Sequence, residues 1–141
     1  MSVIGKPVVF GSGSNKSETK GFTWGKSSQQ AYVTMADAYY TDSGFFDCVD
    51  GVFTCKKAGT YRLTVFGRGA YSSSGKTGRF TGRIVLTSNG TQSIIYAKSN
   101  IDNTGVLEWV SATLAAGDEL YCEKKNTESS TTTDFGMIIT V

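Results

Sequence analysis

The side chains that could carry out covalent or metal chemistry in this 141-residue chain are three cysteines and twelve carboxylates, with no histidine beside them. Without an imidazole, a Ser-His-Asp or Cys-His centre cannot form, and zinc or iron sites that need imidazole are excluded. Six residues separate Cys48 from Cys55, a spacing that matches no metal motif. We predict that Cys48, Cys55 and Cys122 are buried, reduced side chains, with a Cys48–Cys55 hairpin disulfide as the alternative.

The segment Ala70–Thr77 satisfies a permissive phosphate-binding loop pattern. Such a loop needs a helix after it, whereas the alternating residues Phe80–Leu86 predict a strand. We therefore predict a hairpin loop here and no nucleotide site.

Four aspartates could offer oxygen ligands to calcium, but they lack the D-x-D-x-D-G spacing of a calcium loop. We predict that they are solvated turn formers, and that the chain has no catalytic residue, metal or cofactor. These aspartates are Asp37, Asp42, Asp47 and Asp50.

Aromatic rings near loops rich in Ser, Thr and Gly can stack on sugars or anchor a protein partner. Tyr71 precedes three serines and is the best candidate for a displayed contact, whereas Trp24 and Trp109 are expected to pack in the core or between subunits. Tyr39 and Tyr40 place one ring on each face of a strand, so at most one should be free. The predicted ligand-binding residues are Tyr71, Tyr39, Tyr40, Lys76 and Arg79.

The charges of the chain are few and scattered, with 14 basic and 12 acidic residues and a net charge of +2. Nucleic acid is therefore not an expected partner, because phosphate contacts need clustered Lys or Arg. The start of the sequence has no export-signal pattern, and no apolar run approaches the roughly 20 residues that span a bilayer. We expect a protein that is soluble as translated and does not insert into a membrane.

The elements that must position these residues are strands. Ser, Thr and Gly supply 51 of the 141 residues, and polar and apolar residues alternate through most of the chain, as in Thr60–Phe66. Asn89-Gly90 predicts a type I′ hairpin joining Arg79–Thr87 to Gln92–Lys98. Eight to ten short strands of this kind predict an all-β sandwich or jelly roll. In Ser27–Ala38 a helix competes, because Ala31, Met35 and Ala38 have helical spacing, but the segment is interpreted as a strand with a bend.

Three segments resemble the complement C1q globular-head family within the tumour-necrosis-factor-like superfamily. Phe46–Leu63 has the family's aromatic and acidic start and its Gly-x-Phe-x-Cys block, Ala112–Glu123 has its Gly-Asp block, and Asp134–Ile139 has its closing strand. The resemblance covers roughly residues 30–141. It departs from the family at Ala58, where proline is usual, and in the absence of a preceding collagen-like stalk.

The resemblance implies a ten-strand jelly roll that assembles as a homotrimer around aromatic and aliphatic residues. We expect residues 1–30 to pack on or lead into the sandwich and residues 31–141 to form the jelly-roll domain. Gly51 and Gly59 should provide positive φ at tight reversals, and Gly136 should allow close packing of the last strand. The predicted structural core residues are Phe53, Gly59, Tyr61, Gly117, Asp118, Phe135 and Gly136.

This combination leads us to expect a non-enzymatic, trimeric display module of a bacteriophage virion, such as a fibre tip, receptor-binding protein or head-surface protein. It would be made in the host cytoplasm and lie on the virion surface, where a host-surface glycan or protein and other virion proteins would be its partners. The alternative is a C1q-like domain of a cell-surface or secreted binding protein, cloned without its stalk. Seventeen aromatic residues exceed what one sandwich core must absorb, so some should face a neighbour or a ligand.

Overall fold

The computed structural model describes residues 18–71, 77–128 and 131–141, and within these ranges the regular structure consists of strands. None of these residues belongs to a helix long and apolar enough to cross a bilayer. In chain order the strands are β1 (Thr19–Ser27), β2 (Val33–Thr34), β3 (Ala38–Thr41), β4 (Phe46–Val49), β5 (Val52–Cys55), β6 (Gly59–Arg68), β7 (Ala70–Tyr71), β8 (Thr77–Gly78), β9 (Phe80–Ser88), β10 (Thr91–Ile101), β11 (Val106–Leu114), β12 (Glu119–Asn126) and β13 (Thr133–Thr140).

One sheet has the strand order β10-β9-β12-β5-β4, and the short strand β2 also pairs with β12. All of its pairings are antiparallel. The predicted hairpin between β9 and β10 is confirmed, since Ser88 pairs with Thr91. Its two turn residues, Asn89 and Gly90, both have positive φ, 51° and 77°, as a type I′ turn requires.

The second sheet has the order β11-β6-β13-β1-β3, again antiparallel throughout. Strand β13 lies at its centre, between β6 on one side and β1 on the other. Strand β1 is thus a full member of this sheet and lies ahead of residue 31, where the sequence analysis starts the jelly-roll domain. The predicted all-β sandwich is confirmed.

The core lies between the two sheets and is filled by alternate residues of their strands. Phe46 is central, because its ring meets Phe53 at 6.0 Å and Tyr61 at 5.0 Å, measured between ring centroids. Phe80 of one sheet meets Phe135 of the other at 5.7 Å. The expectation that Phe53, Tyr61 and Phe135 are core residues is confirmed. The fully buried large apolar side chains are Phe46, Phe53, Phe80, Phe135, Met35, Leu63, Ile84, Ile101, Leu114, Leu120 and Met137.

The prediction of one bent strand over Ser27–Ala38 is wrong. The chain leaves the five-stranded sheet after Ser27, pairs briefly with β12 through β2, and returns to β1 through β3. Met35 anchors this crossover, because its side chain is buried and its N–H donates to the Cys122 carbonyl at 3.0 Å. A segment that crosses between two layers cannot keep the period-two alternation of a single strand.

Of the two glycines predicted to adopt positive φ at turns, only one does so in the structure. Gly51 has φ 81° and lies against the Met35 backbone, as expected. Gly59 is exposed, and its φ is not in the left-handed region, so its assignment as a core turn residue is wrong. The reversal before β6 is held by other groups: the Phe45 carbonyl accepts from Lys56 N–H at 2.8 Å, and the Lys57 carbonyl accepts from the Tyr61 hydroxyl.

Gly117 and Asp118, both predicted as structural core residues, form a turn in which only Asp118 belongs to the core, so the core assignment of Gly117 is wrong. Gly117 is exposed with φ 94°, whereas Asp118 is buried. One Asp118 carboxylate oxygen accepts from Ala115 N–H at 2.9 Å, and the other accepts from the Ser88 hydroxyl at 2.8 Å. The aspartate therefore closes its own turn and ties it to the end of β9.

Candidate interaction face

Tyr39 and Tyr40 lie on β3, an edge strand of the five-stranded sheet. Tyr40 pairs with Phe22 on the outward face, whereas Tyr39 pairs with the fully buried Thr23. Both rings are nevertheless exposed, by 45% for Tyr39 and 54% for Tyr40. The expectation that at most one is free is wrong for the single chain, because the edge strand has no further strand beside it, within the described residues, to cover Tyr39.

The other predicted ligand-binding residues lie elsewhere. Arg79 precedes β9 in the six-stranded sheet and forms an ion pair with Glu128 at 2.9 Å. Tyr71 ends β7, and its backbone pairs with Thr77 of β8; its side chain and all of Lys76 lie outside the described residues. Arg79 thus lies beside the six-stranded sheet, whereas Tyr39 and Tyr40 lie on the other sheet.

The outward face of the five-stranded sheet carries a group of neighbouring apolar side chains. Two neighbouring cross-strand rows lie on it. One row runs Leu107, Phe66, Gly136, Trp24, Ala38, and the other runs Trp109, Thr64, Ile138, Phe22, Tyr40. We call the apolar side chains of these rows the open face: Phe22, Trp24, Tyr40, Phe66, Leu107, Trp109 and Ile138.

The open face is most exposed at its edges. Leu107 and Trp109 of edge strand β11 are 76% and 55% exposed, and Tyr40 lies on the opposite edge strand. The rings between them are half-buried. Five strands at a spacing of about 4.8 Å make this face roughly 19 Å wide. Contiguous apolar surface of this kind marks an interaction site in proteins that are otherwise polar outside.

Gly136 makes room for the aromatic centre of the open face. A Cβ at Gly136 would collide with the Phe66 ring and would lie 2.6 Å from the Thr23 carbonyl oxygen. The glycine therefore lets the Phe66 ring lie over the backbone of β13, where it stacks with Phe22 at 6.0 Å and an interplanar angle of 10°. The predicted close packing at Gly136 is confirmed.

Charged and polar residues border the open face at both ends. Arg62 lies over the Trp109 ring at 4.0 Å and shares its row with Ser111 and Thr140. At the other end, Asp134 pairs across the sheet with Arg68 and Lys26. An apolar centre with a polar rim is the usual composition of a protein interface.

Strand β11 pairs with β6 along its whole length, and a polar contact also links it to the edge of the other sheet. The Tyr96 hydroxyl of β10 donates to Glu108 of β11 at 2.6 Å, and Lys98 lies 3.3 Å from the same carboxylate. The hydrogen bond from Tyr96, together with Lys98, lowers the pKa of Glu108, so the carboxylate stays ionised at neutral pH. This contact fixes the strand that carries Leu107 and Trp109.

Trp109 is predicted to pack in the core or between subunits, and its 55% exposure excludes the core of this chain. Trp109 is exposed on the outward side of β11, whereas Val110 and Ala112 are half-buried and buried on its inward side. Phe22 and Leu107 were missed, although the alternation of Phe22 and Trp24 with buried Gly21, Thr23 and Gly25 was available as a signal.

The residues capable of chemistry are mostly engaged in structure. All three cysteines are free, so the alternative Cys48–Cys55 disulfide is not formed. Burial raises the pKa of Cys48 to about 11 and also raises that of the fully buried Cys122. Asp42 accepts from Gly44 N–H at 3.0 Å, as a turn former does. The described residues contain no group of three or more His, Cys, Asp or Glu side chains that could hold a metal ion.

One buried cation lies inside the sandwich. Lys124 is fully buried, and its Nζ donates to the Ser27 carbonyl at 2.9 Å and to Asn126 Oδ1 at 3.0 Å. Burial lowers the pKa of Lys124 to about 8, although nearby Asp134 acts in the opposite direction. The Thr133 hydroxyl also donates to Asn126 Oδ1, at 2.8 Å. The cluster satisfies its members inside the core and does not open to a ligand.

No protein-family model matches the sequence, and no curated protein matches it. Solved structures do match the fold. The globular domain of zebrafish complement 1qA protein superposes with a TM-score of 0.51 at 19% identity, covering 86% of this chain and 96% of that one. Murine APRIL at pH 5.0 also gives a TM-score of 0.51, at 10% identity, covering 85% and 99%. The chain has a C1q/TNF-like jelly-roll fold.

The C1q/TNF-like fold accounts for the three resembling segments. Phe46–Leu63 forms β4, β5 and the start of β6; Ala112–Glu123 forms the end of β11 and most of β12; and Asp134–Ile139 lies within β13. The last of these is the central strand behind the open face.

Proposed function

We propose that this chain is a non-enzymatic binding module that assembles into a homotrimer through its open face and displays its outer surface to a ligand. The open face is the observation that carries the proposal. Trp109 and Tyr40 leave about half of their surfaces in water. Covering about 100 Å² of either ring would stabilise an assembly by roughly 2–3 kcal/mol.

The two edges of the open face suggest how copies meet. Trp109 and Tyr40 lie in the same cross-strand row but on opposite edge strands. A head-to-tail contact between the β11 edge of one copy and the β1–β3 side of the next would use both edges in every subunit. Such contacts form a ring when the rotation between successive copies closes. The resemblance to the C1q and tumour-necrosis-factor-like proteins supports a ring of three.

The state of the nucleophiles supports a role without catalysis. Cys48 has a pKa of about 11, so little thiolate is present at neutral pH. The chain has no histidine to serve as a general base.

We propose further that the trimer is part of a bacteriophage virion, as a fibre tip, receptor-binding protein or head-surface protein, on the virion surface. Its low net charge and hydroxyl-rich composition suit a displayed protein without nucleic-acid contacts. The partners would be a host-surface glycan or protein and neighbouring virion proteins. Tail or capsid genes beside the coding sequence would support this location, and their absence would contradict it.

The likeness to the zebrafish complement 1qA globular domain favours a second candidate, the binding domain of a cell-surface or secreted protein. A stalk or export signal encoded upstream of the domain would support this second candidate against the virion location. Both candidates share the open face and the trimer.

Sedimentation velocity on the purified chain tests the assembly. We expect a trimer at micromolar concentration, and we expect Trp109→Ala and Leu107→Lys to shift it toward monomer. Val49→Lys is the matched control, because Val49 is 68% exposed but lies on the other sheet. A wild-type monomer, or a trimer unaffected by both open-face variants, would contradict the proposal.

A further inference from the structure

The outward face of the six-stranded sheet carries a groove of about 340 Å³ that the open face does not use. Its floor is the cross-strand row Ile94–Val85–Tyr121, which crosses β10, β9 and β12. Arg83 and Glu123 form one wall, and Gln92 lies on the opposite side. The volume falls in the range of small-ligand sites.

A β-bulge shapes this groove. The pairing of β9 with β10 shifts between Ile84, which faces Tyr96, and Val85, which faces Ile94. A bulge bends its strand and increases the local twist, and bulges occur frequently beside binding sites. The bend lies at the floor of the groove, so the path of the backbone contributes to the concave shape of the groove.

The polar wall is fixed before any ligand arrives. Arg83 Nε donates to Glu123 Oε2, and the Arg83 guanidinium lies 3.6 Å from the centre of the Tyr32 ring. Among the described residues, the Nη groups of Arg83 and the Oε1 atom of Glu123 make no other hydrogen bond. No buried side-chain nitrogen or oxygen of the described residues lacks a partner. These unpaired atoms therefore reach solvent, which places donors and an acceptor side by side.

The opposite side adds a second donor and acceptor pair. Gln92 Nε2 donates to the Tyr121 hydroxyl at 3.5 Å, which leaves the Tyr121 proton and the Gln92 carbonyl oxygen available. Burial, with a contribution from Glu123, raises the pKa of Tyr121, so its hydroxyl keeps its proton at neutral pH. The groove thus alternates donors and acceptors around an apolar floor.

Charge decides which class of ligand fits. An anion approaching the Arg83 Nη groups would meet Glu123, and a cation approaching Glu123 would meet Arg83 and, beyond Tyr32, Lys125. A sugar hydroxyl donates and accepts at once, and the C–H face of a sugar ring suits the Ile94 and Tyr121 floor. We propose that this groove binds a neutral saccharide through adjacent hydroxyl groups.

The inference rests on the proposed function, because it takes the protein to act by binding. The groove and the open face are on different sheets. Assembly through the open face therefore leaves the groove on the outside of the trimer, where three copies would act together.

A glycan array with neutral, sialylated and sulfated members tests the ligand class, and calorimetric titration of the strongest neutral oligosaccharide then tests the site. We expect neutral glycans to bind, Gln92→Ala to weaken the affinity at least fivefold, and Tyr121→Phe to weaken it while keeping the ring. Gln30→Ala is the matched control, since Gln30 is exposed outside the groove, and its affinity should stay within twofold of the wild type.

Three results would contradict the proposal that the groove binds a neutral saccharide. They are an array on which no glycan binds, binding to acidic glycans alone, and an affinity for neutral glycans that is unchanged in both groove variants. Each leaves the sedimentation test of the trimer intact, so the two proposals fail separately. If the protein binds cells and this binding survives periodate oxidation of their surface sugars, a display role would remain and the saccharide assignment would be wrong.

Discussion

Lys124 places an ionisable group where an apolar side chain would be usual, and this gives a pH dependence with a definite sign. Its pKa is lowered to about 8 in the fold, mainly by burial, whereas an unfolded lysine titrates near 10.4. Between these values the unfolded chain holds more protons, so raising the pH favours the folded state. Lys124 therefore costs stability at neutral pH and less at alkaline pH.

We predict that the wild type gains stability relative to Lys124→Met between pH 8 and 10.5, by up to about 3 kcal/mol. Urea unfolding of both proteins across this range measures the difference. Both proteins contain the same three cysteines, whose raised pKa values lower the stability as the pH rises. This contribution cancels when the two proteins are compared. A difference that does not change with pH would show that Lys124 titrates normally.

Cys48 is the most accessible of the three thiols. The rate at which it is labelled therefore tests whether the protein presents a reactive thiolate. With a pKa of about 11, its thiolate fraction at pH 8 is about a hundredth of that of an ordinary cysteine. We predict that Ellman's reagent modifies Cys48 in the native protein roughly a hundredfold more slowly than in urea. Rapid native labelling of one thiol would contradict this and reopen covalent chemistry.

At the scale of single elements, substitutions at two glycines can distinguish destabilisation by backbone strain from destabilisation by steric crowding. Gly90, in the β9–β10 turn, has φ 77° and nothing within 4 Å of an added Cβ. Gly59, at the start of β6, also has room, with its nearest neighbour at 3.8 Å, but has no positive φ. Both positions thus have room for a Cβ, but only Gly90 has a backbone conformation that alanine disfavours.

We predict that Gly90→Ala destabilises the fold by about 1–2 kcal/mol, because alanine resists positive φ. Gly59→Ala should be neutral or slightly stabilising, since it mainly restricts the unfolded chain. Thermal unfolding of both variants gives the comparison. Equal losses would mean that φ is not the cause.

The strands that could be predicted are those whose signal is local. Alternation in Thr60–Phe66 and the Asn89-Gly90 dipeptide each fix a strand or turn from neighbouring residues alone, and both predictions are confirmed. The crossover between Ser27 and Ala38 could not be predicted in this way. Its path depends on β12 and β1, which supply its partners from distant parts of the sequence.

The open face shows the same limit at the level of a site. That Trp109 points away from Val110 follows from alternation, but its place beside Thr64, Ile138 and Phe22 depends on the order of strands in the sheet. The separation of Arg79 from Tyr39 and Tyr40 depends on strand order in the same way, because nothing local assigns their neighbouring strands to different sheets.

For the whole molecule, assembly and folding should be linked. If the trimer forms through the open face, dissociation and unfolding occur together, and the melting temperature depends on protein concentration. We predict a fall of about 2–4 °C on tenfold dilution of the wild type.

Differential scanning fluorimetry over two decades of concentration measures this effect. Trp109→Ala should abolish the concentration dependence, whereas Val49→Lys should keep it. A wild-type melting temperature that is independent of concentration would separate folding from assembly.

The central position of β13 has a consequence for how the chain reaches this state. Its partners β6 and β1 do not pair with each other, and Ile139 bridges them by pairing with Leu63 and Gly21. The sheet behind the open face therefore cannot close until residues 133–140 have been synthesised. The β9–β10 hairpin can form before residues 133–140 are present, because contacts between residues close in sequence form fastest. The groove side of the molecule should be organised first during refolding, and the open face should be the last to appear.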